Sequence, residues 1–313
     1  MRVKTPVNIV VIGSINFDIS MFVTRFPKPN ETISGGRSQT TMGGKGLNQA
    51  VAAARMGARV HMVGCVGRDS FGQDAVTHLT RNGVTCDYVV QADEAPTGCA
   101  TITVDGDANN MICVSPGANW SLRPEHIIAA RETIATADIV VVQAEIPTDV
   151  IEQVFDIAEQ AHVPCVFNPA PAKKSLLSLL GRAQYVTPNE SETETMTGIN
   201  PEKDTDILAA LDAFDHAGTA QIIMTRGARG ISYRDGGKLV HVPTFKVDAV
   251  DSTGAGDVFN GVLAVGLAQG LSVHDACVHA NGAAALSVTR KGADAAPTRT
   301  ELAQFLKDRG GHG

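Results

Sequence analysis

The residues best placed to do chemistry lie late in the chain, in Asp251-Ser-Thr-Gly-Ala-Gly-Asp257. An apolar run over 258–269 follows, and Gly270 marks its stop. That pattern predicts a helix entered through glycines. A helix start presents unpaired N–H donors and a partial positive charge, so it is an anion site. Gly254 and Gly256 would bring bare N–H groups there, where a transferring phosphoryl group develops charge. Asp257 falls in the first turn of the same helix. A carboxylate there can take a proton from an alcohol held beside the phosphate. One segment thus supplies an anion pocket and a base, the pairing that phosphoryl transfer to a hydroxyl needs. The plainer alternative is an aspartate cap on a glycine turn.

A second glycine cluster, Gly43-Gly-Lys-Gly-Leu-Asn48, also precedes a helical pattern. Gly44 and Gly46 allow a backbone to approach a ligand closely. Lys45 and Asn48 set polar groups at a helix mouth and suit the several hydroxyls of a sugar, although a capped turn with a solvated lysine reads the same way. Neither a Walker A loop nor the dinucleotide fingerprint G-x-G-x-x-G is present. Asn16 and Asp18 follow the first apolar strand. Alternate residues on an extended segment point the same way. An amide and a carboxylate together donate to and accept from vicinal diols, yet both are also ordinary loop residues.

These groups need a frame. Apolar runs of strand length occur at 7–12, 59–66, 139–143, 163–168, 184–188 and 221–225, with helical patterns at 48–56, 71–81 and 150–160. Such alternation predicts an α/β fold: three α/β/α layers around a mostly parallel central sheet. Ligands gather beyond the carboxyl ends of such strands. Two regions break the rhythm. The segment 17–39 turns at Phe26-Pro-Lys-Pro-Asn30, and 97–114 alternates and turns at Asp105-Gly-Asp-Ala-Asn109. They predict a small β-sheet lid. The expected division is 1–16, 40–96 and 118–313 as the α/β domain, with 17–39 and 97–117 as a lid and dimerisation domain. A second hairpin is expected over 227–242, and two Gly- and Ala-rich helices over 254–290.

The chain has 313 residues, room for a large core and about two domains. Its net charge is −7, which disfavours a nucleic-acid binder. The six cysteines form no C-x-x-C pair, and buried reduced thiols are expected. Trp120 is expected to serve packing. No signal-peptide pattern or long apolar stretch occurs, so the expectation is a cytoplasmic protein with no membrane partner.

With both glycine motifs in place, in order and in strand–helix context, the chain resembles the PfkB family of carbohydrate and nucleoside kinases. The likeness runs over about 7–297 and extends to Gly13-Ser-Ile-Asn16, Asn168-Pro-Ala-Pro171, Thr187-Pro-Asn-Glu190 and Val288-Thr-Arg-Lys-Gly-Ala293. The resemblance implies an ATP-dependent sugar kinase, with D-ribose phosphorylated at its 5-hydroxyl as the leading reaction and another pentose, a ketohexose or a nucleoside as the alternative. It implies that Asn16, Asp18, Gly44, Lys45, Gly46, Asn48 and Glu145 hold the sugar and that Asp257 is the base. It adds Ala255 to Gly254 and Gly256 as a source of the anion-hole N–H groups. Asn189, Thr225, Arg226, Gly227, Ala228, Arg229, Gly230, Gly256 and Asn281 would line ATP. Glu192 would act on Mg²⁺ through water. Asp251, Thr253, Ser287, Arg290, Gly292 and Ala296 would surround K⁺, mostly through backbone carbonyls. Ala296 stands where a hydroxyl residue is common. Phe17 stands where a small residue is usual, so a bulky ring is expected beside the sugar. A homodimer joined through the lid sheets is implied as well. A non-catalytic sensor would be free to lose Asp257 or the anion-hole glycines, and an NAD-linked oxidoreductase would need the missing fingerprint.

Overall fold

The computed structural model describes residues 6–107, 109–216, 218, 221–292 and 295–310. The chain opens with β1 (Asn8–Ile12), β2 (Asn16–Phe22), β3 (Ser38–Gly43), α1 (Lys45–Arg55), β4 (Arg59–Gly67), α2 (Ser70–Arg81) and β5 (Val84–Ala92). It continues through β6 (Gly98–Val104), β7 (Asn110–Ser115), α3 (Pro124–Ala129), α4 (Arg131–Ala135), β8 (Ile139–Gln143), α5 (Thr148–Ala161) and β9 (Cys165–Asn168). Then come α6 (Leu177–Leu180), β10 (Tyr185–Val186), α7 (Glu190–Thr197), α8 (Asp204–Asp215), β11 (Gln221–Thr225), β12 (Ile231–Asp235) and β13 (Lys238–Val242). The last helices are α9 (Ala255–Ala268), α10 (Val273–Ser287) and α11 (Arg299–Gly310).

Nine strands form one sheet in the order β13-β12-β11-β10-β9-β8-β1-β4-β5. From β11 through β5 every neighbouring pair is parallel, and β12 and β13 add an antiparallel edge. β1 pairs with β4 from Asn8↔Arg59 to Ile12↔Val63 and with β8 from Ile9↔Ile139 to Ile12↔Val142. Strand order grows outward from β1 to one side and from β8 to the other. The crevice beyond the ends of β1 and β8 is therefore the switch point, where such sheets bind ligands.

The side-chain alternation of β1 explains the layers. Ile9 and Val11 face a core with α1, α9 and α10, whereas Val10 and Ile12 face one with Val154, Phe155 and Phe214 of α5 and α8. Both faces are buried, so the strand reads as a continuous apolar run rather than an alternating one.

The smaller sheet has the order β3-β2-β6-β7. β2 pairs parallel with β6 from Asn16↔Gly98, and the outer pairs are antiparallel. Along β7 every residue is exposed. Three expectations need correction. Of the cysteines only Cys65, Cys165 and Cys277 are buried, and Cys113 is exposed because it sits on this edge. Trp120 is not a buried packing residue: it is 58% exposed, with the Lys173 ammonium 5.6 Å from its ring centre. The Phe17 ring does not lie on the face of β2 that carries Asn16 and Asp18. The pleat turns it to the opposite face, where its ring stacks on Phe71 of α2 with centroids 3.9 Å apart.

Candidate active site

Four elements converge at the crevice. Asn16 and Asp18 open β2 immediately past β1, Glu145 lies just past β8, and α1 and α9 carry Lys45, Asn48 and Asp257. Gly44 makes the docking of α1 possible. Its φ is +90°, and a Cβ there would lie 2.8 Å from both the Asn16 nitrogen and the Ser14 oxygen. Leu47 N–H accordingly donates to the Ser14 carbonyl at 3.0 Å.

Asp257 is 8% exposed. Asn48 Nδ2 donates to its Oδ2 at 3.1 Å, and Gln49 Nε2 donates to its Oδ1 at 3.0 Å. The Ser14 hydroxyl donates to Glu145 Oε2, which also accepts the Lys45 backbone N–H at 3.4 Å. Asn119 clamps the entry to β2: its Oδ1 accepts Ile15 N–H at 2.8 Å and its Nδ2 donates to Asn16 Oδ1 at 2.8 Å.

The electrostatics are those of crowded carboxylates. Burial, with the charges of Glu145 and Asp257 added, pushes the Asp18 carboxyl up to about 6. Burial pulls the Lys45 ammonium down, but Asp257, Glu145 and Glu192 outweigh it and hold it above the usual lysine range. Glu192 is raised, mainly by burial and partly by Asp257, against the Asn189 N–H bond and Lys45. Asp18 Oδ1 and Asn48 Oδ1 are buried without a protein partner among the described residues. A buried acceptor left open calls for a donor.

The anion site is expected at the loop before α9. Gly254 starts the helix at φ +74°, a left-handed value that glycine adopts without cost. Gly256 is exposed beside the buried Asp257. Ala255 N–H is the exception, since it donates to the Ser252 carbonyl at 3.2 Å.

The residues expected at the nucleotide lie along the ends of β10 and β11. Asn189 and Thr225 bridge these ends, and the turn Gly227–Arg229 follows. Asn189 caps α7 reciprocally with Glu192: each backbone N–H donates to the other's side chain at 2.8 Å. Ala228 and Gly230 complete the turn into β12. Arg226 is a correction. Its guanidinium is drawn inward to Glu190, Ser232 and the carbonyls of Pro201 and Glu202, so it is not offered to a ligand. Arg229 is half-exposed and pairs with Glu190. Asn281 spends its amide N–H groups on the carbonyls of Val242 and Pro243.

The expected cation site is a second loop cluster. Asp251 accepts Thr253 N–H at 2.9 Å and Gly292 N–H at 3.0 Å. These bonds outweigh burial and hold its carboxyl below the usual range. Arg290 turns its guanidinium to Glu301 at 2.6 Å, leaving its backbone at the loop. The Ser287 hydroxyl donates to the Ala284 carbonyl. The Ala296 carbonyl already receives Arg55 Nη1 at 2.7 Å.

Four site residues were not legible as such. Ser14 and Asn119 act through bonds that only the fold reveals. Gln49 sits beside Asn48 with nothing in its spacing to mark it. Gln143 did leave a signal, as the one polar residue ending the apolar run Ile-Val-Val-Val-Gln.

Residues 7–300 match the family described as pfkB family carbohydrate kinase. The ribokinase of Bacillus subtilis is 40% identical over 300 residues, covering 96% of this chain and 99% of that one. A deoxyribokinase of Salmonella typhimurium is 34% identical over 301 residues, covering 96% and 98%. Among solved structures, the ribokinase of Arabidopsis thaliana complexed with ribose and ATP superposes with a TM-score of 0.90 at 32% identity, over 97% of this chain and 99% of that one.

Proposed function

The chain belongs to the pfkB family of carbohydrate kinases, and from that premise we propose that it phosphorylates D-ribose at the 5-hydroxyl with ATP, giving D-ribose 5-phosphate and ADP. The observation that carries this reading is the pair of open buried acceptors, Asp18 Oδ1 and Asn48 Oδ1, beside a buried carboxylate at a glycine-lined helix entrance. Hydroxyl groups are the donors that such acceptors require. Asn16, Asp18, Lys45, Asn48 and Glu145 orient the sugar, with the backbone of Gly44 and Gly46 close to it. Asp257 takes the proton of the 5-hydroxyl as its oxygen attacks the γ-phosphorus and the bond to the β-phosphate oxygen breaks. The N–H groups of half-buried Gly254 and exposed Gly256 face the developing phosphoryl charge. Lys45 adds a fixed positive charge between the sugar and the phosphates. The nucleotide lies along Asn189, Thr225, Gly227, Ala228, Arg229 and Gly230, near Asn281.

Mg²⁺ suits this chemistry because it neutralises phosphate charge. No cluster of three His, Cys, Asp or Glu stands ready for a metal among the described residues. The fit is therefore a nucleotide-borne ion that Glu192 reaches through water. A K⁺ ion would be held at the loop of Asp251, Thr253, Ser287, Arg290 and Gly292 mostly through backbone oxygens, of which the Ser287 carbonyl also accepts Arg290 N–H at 3.0 Å. Ala296 fits less well, since its carbonyl already holds a guanidinium.

A second reading, a 2-deoxypentose as acceptor, is favoured by the 34% identity with a deoxyribokinase. A nucleoside acceptor would want an apolar surface for its base, and Phe17 does not supply it, because its ring stacks on Phe71 on the opposite face of β2. A non-catalytic sensor loses it as well, since Asp257 and the glycines are all retained. We further propose that the smaller sheet covers the sugar and pairs with its copy in a homodimer, and that the enzyme works in the cytoplasm. No helix among the described residues is long and apolar enough to cross a membrane. ADP formation measured with ribose, 2-deoxyribose, fructose and adenosine, with and without K⁺, tests the reading. Ribose is expected to give the highest kcat/KM. Equal or greater turnover of another acceptor would replace the assignment.

A further inference from the structure

Gln49 and Gln143 are both fully buried, deep beneath the site. A buried primary amide is costly unless its donors and acceptor are met. Gln143 Nε2 donates to Gln49 Oε1 at 2.8 Å, and Gln49 Nε2 donates to Asp257 Oδ1 at 3.0 Å, while Gln143 Oε1 has no partner among the described residues. Gln49 Nε2 also approaches Asn168 Oδ1 at 3.4 Å, and Asn168 Nδ2 donates to the Thr187 carbonyl at 3.1 Å. The chain of amides therefore runs from the end of β8 to the carboxylate, with a side branch to the ends of β9 and β10.

Its polarity is fixed from one end. An ionised carboxylate only accepts, so Gln49 must present its NH₂ to Asp257. Its Oε1 then faces Gln143, which must donate in turn. Two glycines make room for this path. A Cβ on Gly13 would coincide with Gln143 Oε1, and one on Gly261 would lie 2.5 Å from the Gln49 carbonyl. Close packing of α9 on α1 at Gly261 is what brings the Gln49 amide within reach of Asp257. Asn48 contacts the other carboxylate oxygen but has an open acceptor of its own, so it is shared with the ligand.

We propose that Gln49, oriented by Gln143, is a positioning residue that holds the Asp257 carboxylate toward the acceptor hydroxyl. The proposal rests on the reading of Asp257 as the base. Gln49 touches no substrate. Its loss frees one carboxylate oxygen to rotate, and misplacement of a reacting group by about 1 Å can cost on the order of 10² in rate.

The test uses Gln49→Met, which keeps the length and apolar body of the side chain, together with Gln143→Leu and the double variant. Each is assayed with whichever acceptor the parent turns over best, so a wrong acceptor assignment appears in the parent alone. Gln49→Met should lose kcat by about 10²-fold while KM for sugar and ATP stays within about twofold. Gln143→Leu should lose less, and the double variant should match Gln49→Met, because Gln143 acts only through Gln49. A kcat within twofold of the parent in Gln49→Met, or losses that multiply in the double variant, would overturn the proposal. Should Gln49→Met prove unfolded by circular dichroism, Gln143→Leu decides, by a fall in kcat at unchanged KM or its absence.

Discussion

Asp18 is the residue at which solution conditions reach the site most directly. Its carboxyl is pushed up to about 6 from 3.8, by burial first and then by Glu145 and Asp257. Between those values the folded chain holds a proton that the unfolded chain has lost. This group's contribution to stability therefore falls as pH rises across that window. Ligand binding has the opposite sense, because only the ionised form accepts two hydroxyl bonds. KM for the sugar is expected to rise as pH falls through about 6, approaching tenfold per pH unit below it. Initial rates between pH 5 and 8 would measure this, and a flat KM across that range would contradict it. The Ser14–Glu145 bond is a second handle at this scale. Ser14→Ala removes a buried donor to a carboxylate, so Glu145 loses its fixed orientation. Sugar affinity, read by isothermal titration, should weaken roughly tenfold, a charge-assisted bond of about 1.5 kcal/mol. Unchanged affinity would show that Glu145 does not need Ser14.

Elements decide where these residues meet. The most sensitive contact is α1 on α9 at Gly261, where a Cβ would meet Gln49 backbone oxygen at 2.5 Å and Ala52 Cβ at 2.8 Å. Gly261→Ala must separate the helices or strain them, at about 1–3 kcal/mol. A lower Tm with a fall in kcat is expected, and thermal unfolding beside rate measurements checks both; a variant as stable and active as the parent would mean that the helices can slide freely. The same scale shows what a sequence reveals. The central strands were legible because each is a short continuous apolar run, and the helices after the two glycine motifs because glycines mark their starts. Expected helix 48–56 begins three residues earlier, at Lys45, because Gly44 rather than Asn48 starts it. The expected strand 184–188 shrinks to Tyr185–Val186, since Pro188 has no N–H to give. β5 escaped notice, as its half-buried face breaks the apolar run, and so did α11, whose polar sequence carries little periodicity. The site residues on motifs were readable. Those that depend on facing directions were not, which is why a ring at Phe17 is expected beside the sugar and Arg226 along the nucleotide, whereas one stacks on Phe71 and the other is drawn inward to Glu190.

At the scale of the whole molecule, a thin sheet leaves the edge strand β7 bare. Met111, Ile112 and Val114 are each more than half exposed there. An open edge with apolar side chains favours pairing with another chain. A homodimer through this sheet predicts that Ile112→Asp gives monomers in light scattering and raises KM for the sugar, whereas a parent already monomeric at assay concentration would end that proposal. The larger sheet needs no such cover at its centre, where β1, β8 and β9 are buried on both faces. Its switch point gathers an acid, a lysine and two open acceptors where a sugar and ATP can meet. The most direct measurement of that arrangement is the turnover of Asp257→Asn with ribose and ATP. A fall in kcat of about 10²–10⁴-fold, with Tm and nucleotide affinity retained, is the predicted result. Turnover at the parental rate in a folded, nucleotide-binding variant would contradict it.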